Sequence, residues 1–169
     1  MKHFLSKPQF IILFYFIIIN LNVYSQNPKV LLGIDVLEKD NYSLLEGKRV
    51  GLIANHTSVN SKLISTVDLF KKAKNFQLIA VFSPEHGIRG VAGSGEFVED
   101  FFDSTTGIKY YSLYGKTQKP TPEMLEDIDV LVYDIQDIGC RSYTYISTLG
   151  LAMEAAAENN KEFIVLDRP

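Results

Sequence analysis

Cysteine is almost absent from this chain: Cys140 stands alone among 169 residues. No internal disulfide can form, so a packed core must supply the stability. Charge of one sign is also scarce. The net charge is −3 and no basic stripe is present, which argues against nucleic acid as a partner. Past the first residues, no apolar run is long enough to span a membrane. Nucleotide fingerprints are missing too. The first strand-to-helix turn, Ala54-Asn55-His56-Thr57-Ser58, lacks the glycines that let a backbone approach a pyrophosphate. The segment from Gly87 to Gly95 is glycine-rich, but its spacing matches neither a dinucleotide fingerprint nor a P-loop. No His-x-x-x-His spacing offers a metal site, and no Gly-x-Ser-x-Gly elbow presents a serine nucleophile. No cofactor is expected.

What is present is an ordinary globular balance, 46% hydrophobic and 22% charged. Lys2, His3 and Lys7 precede the apolar run of residues 10–19, which has the length of a signal-peptide core. Val23 and Ser25 suit the −3 and −1 positions of a cleavage site. Residues 1–25 therefore read as a signal peptide cut after Ser25, with an uncleaved anchor as the alternative. The expected location is periplasmic or secreted, with no membrane attachment after cleavage. Residues 26–44 read as a lead-in segment, and residues 45–169 as one domain of usual length.

Apolar runs at residues 49–54, 76–82, 129–135 and 162–167 read as buried strands, with a short strand at 108–112. A helix capped by Ser61 is expected, with Leu63, Val67, Phe70 and Ala73 on its apolar face. Thr121 and Pro122 make an N-cap and first-turn pair for a short helix. A long helix is expected over 143–159, with Ile146, Leu149, Met153 and Ala156 facing the core. Residues 83–107 read as a long, acidic, glycine-rich loop of the kind that carries function. Alternating strands and helices with continuous apolar strands predict an α/β fold: a Rossmann-like, doubly wound, mostly parallel sheet.

In such a sheet the carboxyl ends of the strands share one edge, where ligands bind. Asn55 and His56 leave the first strand there; Glu85, His86 and Arg89 leave the second. Asp134, Gln136, Asp137 and Arg141 leave the next, with Tyr143 and Tyr145 beyond, and Asp167 and Arg168 leave the last. Each has a plainer reading. Asn55 and Thr57 equally satisfy loop backbone, His56 is as readily structural, Asp134 could bond a neighbouring loop, and Gln136 with Arg141 could form a local polar network.

Five motifs occur in order: Gly33-Ile34-Asp35; Val50-Gly51-Leu52-Ile53-Ala54-Asn55-His56-Thr57; Phe82-Ser83-Pro84-Glu85-His86-Gly87-Ile88-Arg89-Gly90; Asp134-Ile135-Gln136-Asp137-Ile138-Gly139-Cys140-Arg141-Ser142-Tyr143-Thr144-Tyr145; and Leu166-Asp167-Arg168-Pro169. Together they resemble the NamZ-type exo-β-N-acetylmuramidases, the glycoside hydrolase family long called domain-of-unknown-function family 1343. The resemblance covers residues 33–169. It implies release of N-acetylmuramic acid from the non-reducing end of peptidoglycan fragments, with muramyl saccharides as partners. It also implies an amino-terminal Rossmann-like domain whose cleft is shared with a carboxy-terminal domain that this sequence lacks.

On that reading Glu85 is the acid or acid/base, its pKa raised by partial burial, and His86 orients it or holds substrate. Asp134 is the nearest candidate for a second carboxylate. Arg89 and Arg141 meet the lactyl carboxylate, and Tyr143 or Tyr145 stacks on a sugar face. Asn55, His56, Gln136 and Arg168 complete the expected substrate contacts. The alternatives are a carbohydrate-binding module without catalysis and a truncated, inactive fragment. Oligomeric state and retention or inversion stay open.

Overall fold

The computed structural model describes residues 30–169. The signal-peptide reading and its cut after Ser25 lie outside them. The compact body runs from Leu31 to Pro169. Its six strands are β1 (Arg49–Ala54), β2 (Gln77–Ser83), β3 (Phe101–Asp103), β4 (Ile108–Ser112), β5 (Val130–Asp134) and β6 (Glu162–Val165). They lie in the order β3-β4-β2-β1-β5-β6. All pairs are parallel except β3 with β4. Counting the parallel strands alone, the spatial order is third, second, first, fourth, fifth. That is the Rossmann order, and it reverses direction between β1 and β5.

Side-chain alternation divides the core into two layers. Val50, Leu52, Val130 and Val132 face one side, where they meet helices α1 (Gly33–Lys39) and α2 (Thr66–Lys72) through Ile34, Leu37, Val67 and Phe70. Ile53, Leu131 and Tyr133 face the other side. There they meet α3 (Pro122–Leu125) and α4 (Tyr145–Glu158) through Leu125, Ala152, Ala155 and Ala156. Both faces are covered, which is why residues 50–54 of β1 and 130–133 of β5 run without polar residues rather than alternating.

Several expectations change at the helices. The helix anticipated from Ser61 starts at Thr66 instead. Residues 60–64 form a tight loop: the Asn60 side-chain oxygen accepts from the N–H groups of Lys62 and Ile64, and Leu63 takes a left-handed conformation, 81% exposed. Helix α4 is rotated from the expected face. Its buried residues are Tyr145, Thr148, Ala152, Ala155 and Ala156, while Ile146 and Met153 are 54% and 50% exposed. The small alanines let the helix lie close on the sheet. Thr121 caps α3 as expected, its hydroxyl accepting from the Met124 N–H. The lead-in, for which the sequence predicts no element, contains α1, and a 3-10 turn, Ser43–Leu45, spans its junction with the domain; Ile34 and Leu45 are fully buried. Within the long loop, β3 adds an antiparallel edge, and Phe101 stacks on Tyr110 at 4.3 Å.

Candidate active site at the carboxyl edge of the sheet

The loops after β1 and β5 are stitched together across the point where strand order reverses. The Asn55 N–H donates to the Ser58 hydroxyl at 2.9 Å, and that hydroxyl donates in turn to the Asp134 carbonyl. The Gln136 N–H reaches the Thr57 hydroxyl at 2.9 Å. The Asn55 Oδ1 accepts from both the N–H and the hydroxyl of Thr57, at 2.8 and 2.7 Å. Those two donors fix which end of the amide is oxygen. The Asn55 Nδ2 then lies on the other side, buried and without a hydrogen-bond partner meeting normal geometry; the Tyr145 hydroxyl is the polar group it faces.

Glu85 follows β2 on the neighbouring turn. Its Oε2 accepts from the Thr144 hydroxyl at 3.2 Å, and its Oε1 from the Gly95 N–H at 3.2 Å and the Ser94 hydroxyl at 3.3 Å. The Tyr114 hydroxyl is a further partner. Burial pushes the Glu85 carboxyl upward. The Gly95 N–H, the Tyr114 and Thr144 hydroxyls and the charge of His86 together outweigh it, so the pKa falls below the ordinary glutamate value. The expectation of a raised pKa is therefore corrected. In the unliganded domain Glu85 is ionised, because donors to its charged form outnumber what burial removes.

His86 is half-buried and left-handed, at φ 72°, a conformation rare outside glycine. Its Nδ1 lies 2.9 Å from the Ala92 carbonyl. That contact and the two bonds from Ser94 and Gly95 fold the 91–96 loop back over Glu85. His56 packs against Gly90, where an added Cβ would fall 2.3 Å from its Nδ1. His56 and Arg89 line a separate cavity of about 530 Å³ with Asn55, Asp68, Lys71 and Tyr110.

Asp134 and Arg168 do different work from that expected. Asp134 is fully buried. Its Oδ1 accepts from Arg168 Nε at 2.5 Å and its Oδ2 from the Thr66 hydroxyl at 2.5 Å. A second Arg168 nitrogen donates to the Val59 carbonyl at 2.9 Å. With both oxygens engaged and no solvent access, Asp134 has no face for a substrate, and its partner Arg168 is equally committed. This pair ties β5, α2 and the end of β6 together.

Tyr145 is also corrected as a stacking platform: its ring is buried in the core at the start of α4. Gln136 is half-buried and bonded to the Asp137 carbonyl at 3.0 Å. Arg141 and Tyr143 stand exposed on the same loop. Among the described residues, no three histidine, cysteine or carboxylate side chains gather as a metal site.

Two of Glu85's partners, Thr144 and Tyr114, were not singled out in the sequence as site residues. Tyr114 lies two residues past the carboxyl end of β4, so the strand-end rule that marks Glu85 marks it as well. Thr144 stands between Tyr143 and Tyr145, but nothing in its type distinguishes a hydroxyl given to a carboxylate from an ordinary helix cap.

Comparison with known proteins gives consistent results. The family model described as "Exo-beta-N-acetylmuramidase NamZ, N-terminal" matches residues 50–169. The peptidoglycan β-N-acetylmuramidase NamZ of Bacillus subtilis (strain 168) is 53% identical over 148 residues, covering 88% of this chain and 36% of that protein. A crystal structure of a DUF1343 family protein of Bacteroides fragilis superposes with a TM-score of 0.74 at 65% identity, covering 82% of this chain and 34% of that one. A second from the same organism gives 0.66 at 34% identity, covering 82% and 35%. The chain thus spans about a third of the length of these relatives.

Proposed function

Because the chain belongs to the NamZ family of exo-β-N-acetylmuramidases, matching its N-terminal domain, we propose that it supplies the Glu85 half of an exo-acting glycosidase. The enzyme would release N-acetylmuramic acid from the non-reducing end of peptidoglycan fragments during cell-wall turnover. Muramyl saccharides are its partners. The charged, apolar and small-residue pattern of the first 25 residues supports a location in the periplasm or outside the cell.

The observation that carries this reading is the setting of Glu85. It is a half-buried carboxylate at the carboxyl edge of a Rossmann-ordered sheet, surrounded by hydroxyl and N–H donors rather than by a cation that would neutralise it permanently. Glycoside hydrolysis requires a carboxyl group that delivers a proton to the leaving oxygen or takes one from water. A bound sugar displaces water from the cleft, and that desolvation drives the Glu85 pKa upward from its low resting value. Proton uptake by Glu85 on substrate binding then readies it as the acid. Arg89 and Arg141, exposed on the turns after β2 and β5, are available to a lactyl carboxylate.

One observation favours binding without cleavage: a carboxylate held ionised is a good acceptor for sugar hydroxyls. Replacement of Glu85 by Gln separates the readings. In the full-length protein, Glu85→Gln is expected to lower release of N-acetylmuramic acid from a chromogenic β-N-acetylmuramide by at least about 100-fold, with binding retained. Near-normal release would remove Glu85 from catalysis.

A further inference from the structure

Helix α4 begins at a threonine in the N-cap position, yet the Thr144 side chain makes no capping bond to its own helix. A threonine there ordinarily accepts from an N–H of the first turn, which stabilises the helix. Here its hydroxyl reaches away and donates to Glu85 Oε2 at 3.2 Å. The chain leaving β4 brings the Tyr114 hydroxyl near the same carboxylate as a further donor. Neither residue is part of the turn that carries Glu85; both follow it in sequence, Tyr114 just past β4 and Thr144 just before α4.

We propose that Thr144 and Tyr114 are positioning residues that together clamp the Glu85 carboxylate, the Thr144 hydroxyl being spent on Glu85 rather than on its own helix. The proposal rests on the reading of Glu85 as the catalytic carboxyl group and adds what aims it. A glutamate side chain on a flexible turn samples many rotamers. Two hydroxyls fixed on a helix start and a strand end select one of them, and the bond between Thr144 and Oε2 leaves Oε1 to the Ser94 and Gly95 contacts of the overlying loop. Neither clamping residue belongs to that loop. Both hydroxyls donate to the charged form, so they also keep Glu85 ionised until substrate arrives. The start of α4 adds its own preference for negative charge. The titratable groups facing Glu85 are His86 on its own turn, Tyr114 beyond β4 and Tyr145 of α4.

The test uses the full-length protein and four variants. Thr144→Val keeps the shape of the side chain and removes the hydroxyl; Thr144→Ser keeps the hydroxyl. Tyr114→Phe removes the other donor without touching α4. The Glu85 ionisation is followed directly by carbon-detected NMR of the side-chain carboxyl, and independently by the pH profile of kcat/KM on a chromogenic β-N-acetylmuramide. Thr144→Val and Tyr114→Phe are each expected to raise the Glu85 ionisation by about half a pH unit or more, and Thr144→Ser to leave it in place. A merely structural role for these residues would lower stability and leave that ionisation where it was, and such a result overturns the clamp. If Thr144→Val fails to fold, Tyr114→Phe reads the same quantity. Glu85→Gln is the control for the parent reading. Activity surviving in it would sink the assignment of Glu85 to catalysis, while the NMR titration of the other variants would still decide whether the clamp exists.

Discussion

At the scale of single residues, carboxylates take opposite roles according to their burial and partners. Glu85 is half-buried, meets donors that are neutral, and keeps a face for a ligand. Asp134 is sealed, and its oxygens are shared between Arg168 and Thr66. A buried ion pair contributes little net stability, since desolving both charges offsets their attraction, but breaking one leaves an uncompensated charge. Asp134→Asn should therefore destabilise the fold by about 3–5 kcal/mol, as should Arg168→Met. The double variant should lose clearly less than the sum of the two, because the partners are coupled. Urea denaturation of the three proteins measures this cycle. A catalytic role for Asp134 would show instead as lost turnover in Asp134→Asn with unfolding unchanged.

At the scale of elements, the lead-in helix is held by backbone proximity. The Gly33 N–H donates to the Asp167 carbonyl at 2.7 Å, bringing the start of α1 against the end of β6. A Cβ on residue 33 would lie 2.5 Å from the Asp167 nitrogen and 2.7 Å from the Leu166 Cα. Both are main-chain atoms with no rotamer to yield. Gly33→Ala should cost about 1–3 kcal/mol through overpacking, read as a lower urea midpoint with an unchanged slope. An unchanged midpoint would mean that α1 is not docked as described. The elements also show where sequence reading works. Strands β1, β2 and β5 were legible because strands covered on both faces are apolar throughout. Helix α2 was misplaced because Leu63 fits a helical period by chance, while the deciding feature, the Asn60 side chain bonding two N–H groups ahead of it, leaves no periodic trace. The face of α4 differs from the one its large apolar residues predict, because close packing on this sheet selects the alanines. Of the site, Glu85 was legible as a strand-end carboxylate. Its ionised state was not, since that depends on Tyr114, Thr144 and Gly95, which reach it only after the sheet has assembled.

At the scale of the whole molecule, the two edges of the sheet divide the work. The carboxyl edge carries Glu85 and loops that bend back on themselves. The opposite edge carries an ionic seam: Arg49 at the start of β1 donates to Asp129 at 2.8 Å and lies 3.5 Å from Asp127, and Lys48 meets Glu162 at 2.6 Å. The Arg49 side-chain bond, its backbone N–H and its charge hold the Asp129 carboxyl at about 2, against a small opposing push from burial and an ordinary value of 3.8. A carboxyl whose folded pKa is depressed contributes its stability above the unfolded value and loses it as the pH falls through the folded one. Stability should thus decline between about pH 4 and pH 2 as Asp129 takes up its proton, by a modest amount because both partners are nearly half exposed and screened by solvent. Arg49→Met removes the seam. It should flatten that part of the curve of unfolding free energy against pH, without moving the pH profile of turnover, since Arg49 sits at the far ends of the strands from Glu85. Urea melts at a series of pH values, with kcat/KM measured on the same samples, compare the two edges directly. Any shift of the turnover profile in Arg49→Met would show that the edges are coupled through β1, whereas independence is expected of a sheet whose parallel strands separate anchoring at one end from chemistry at the other.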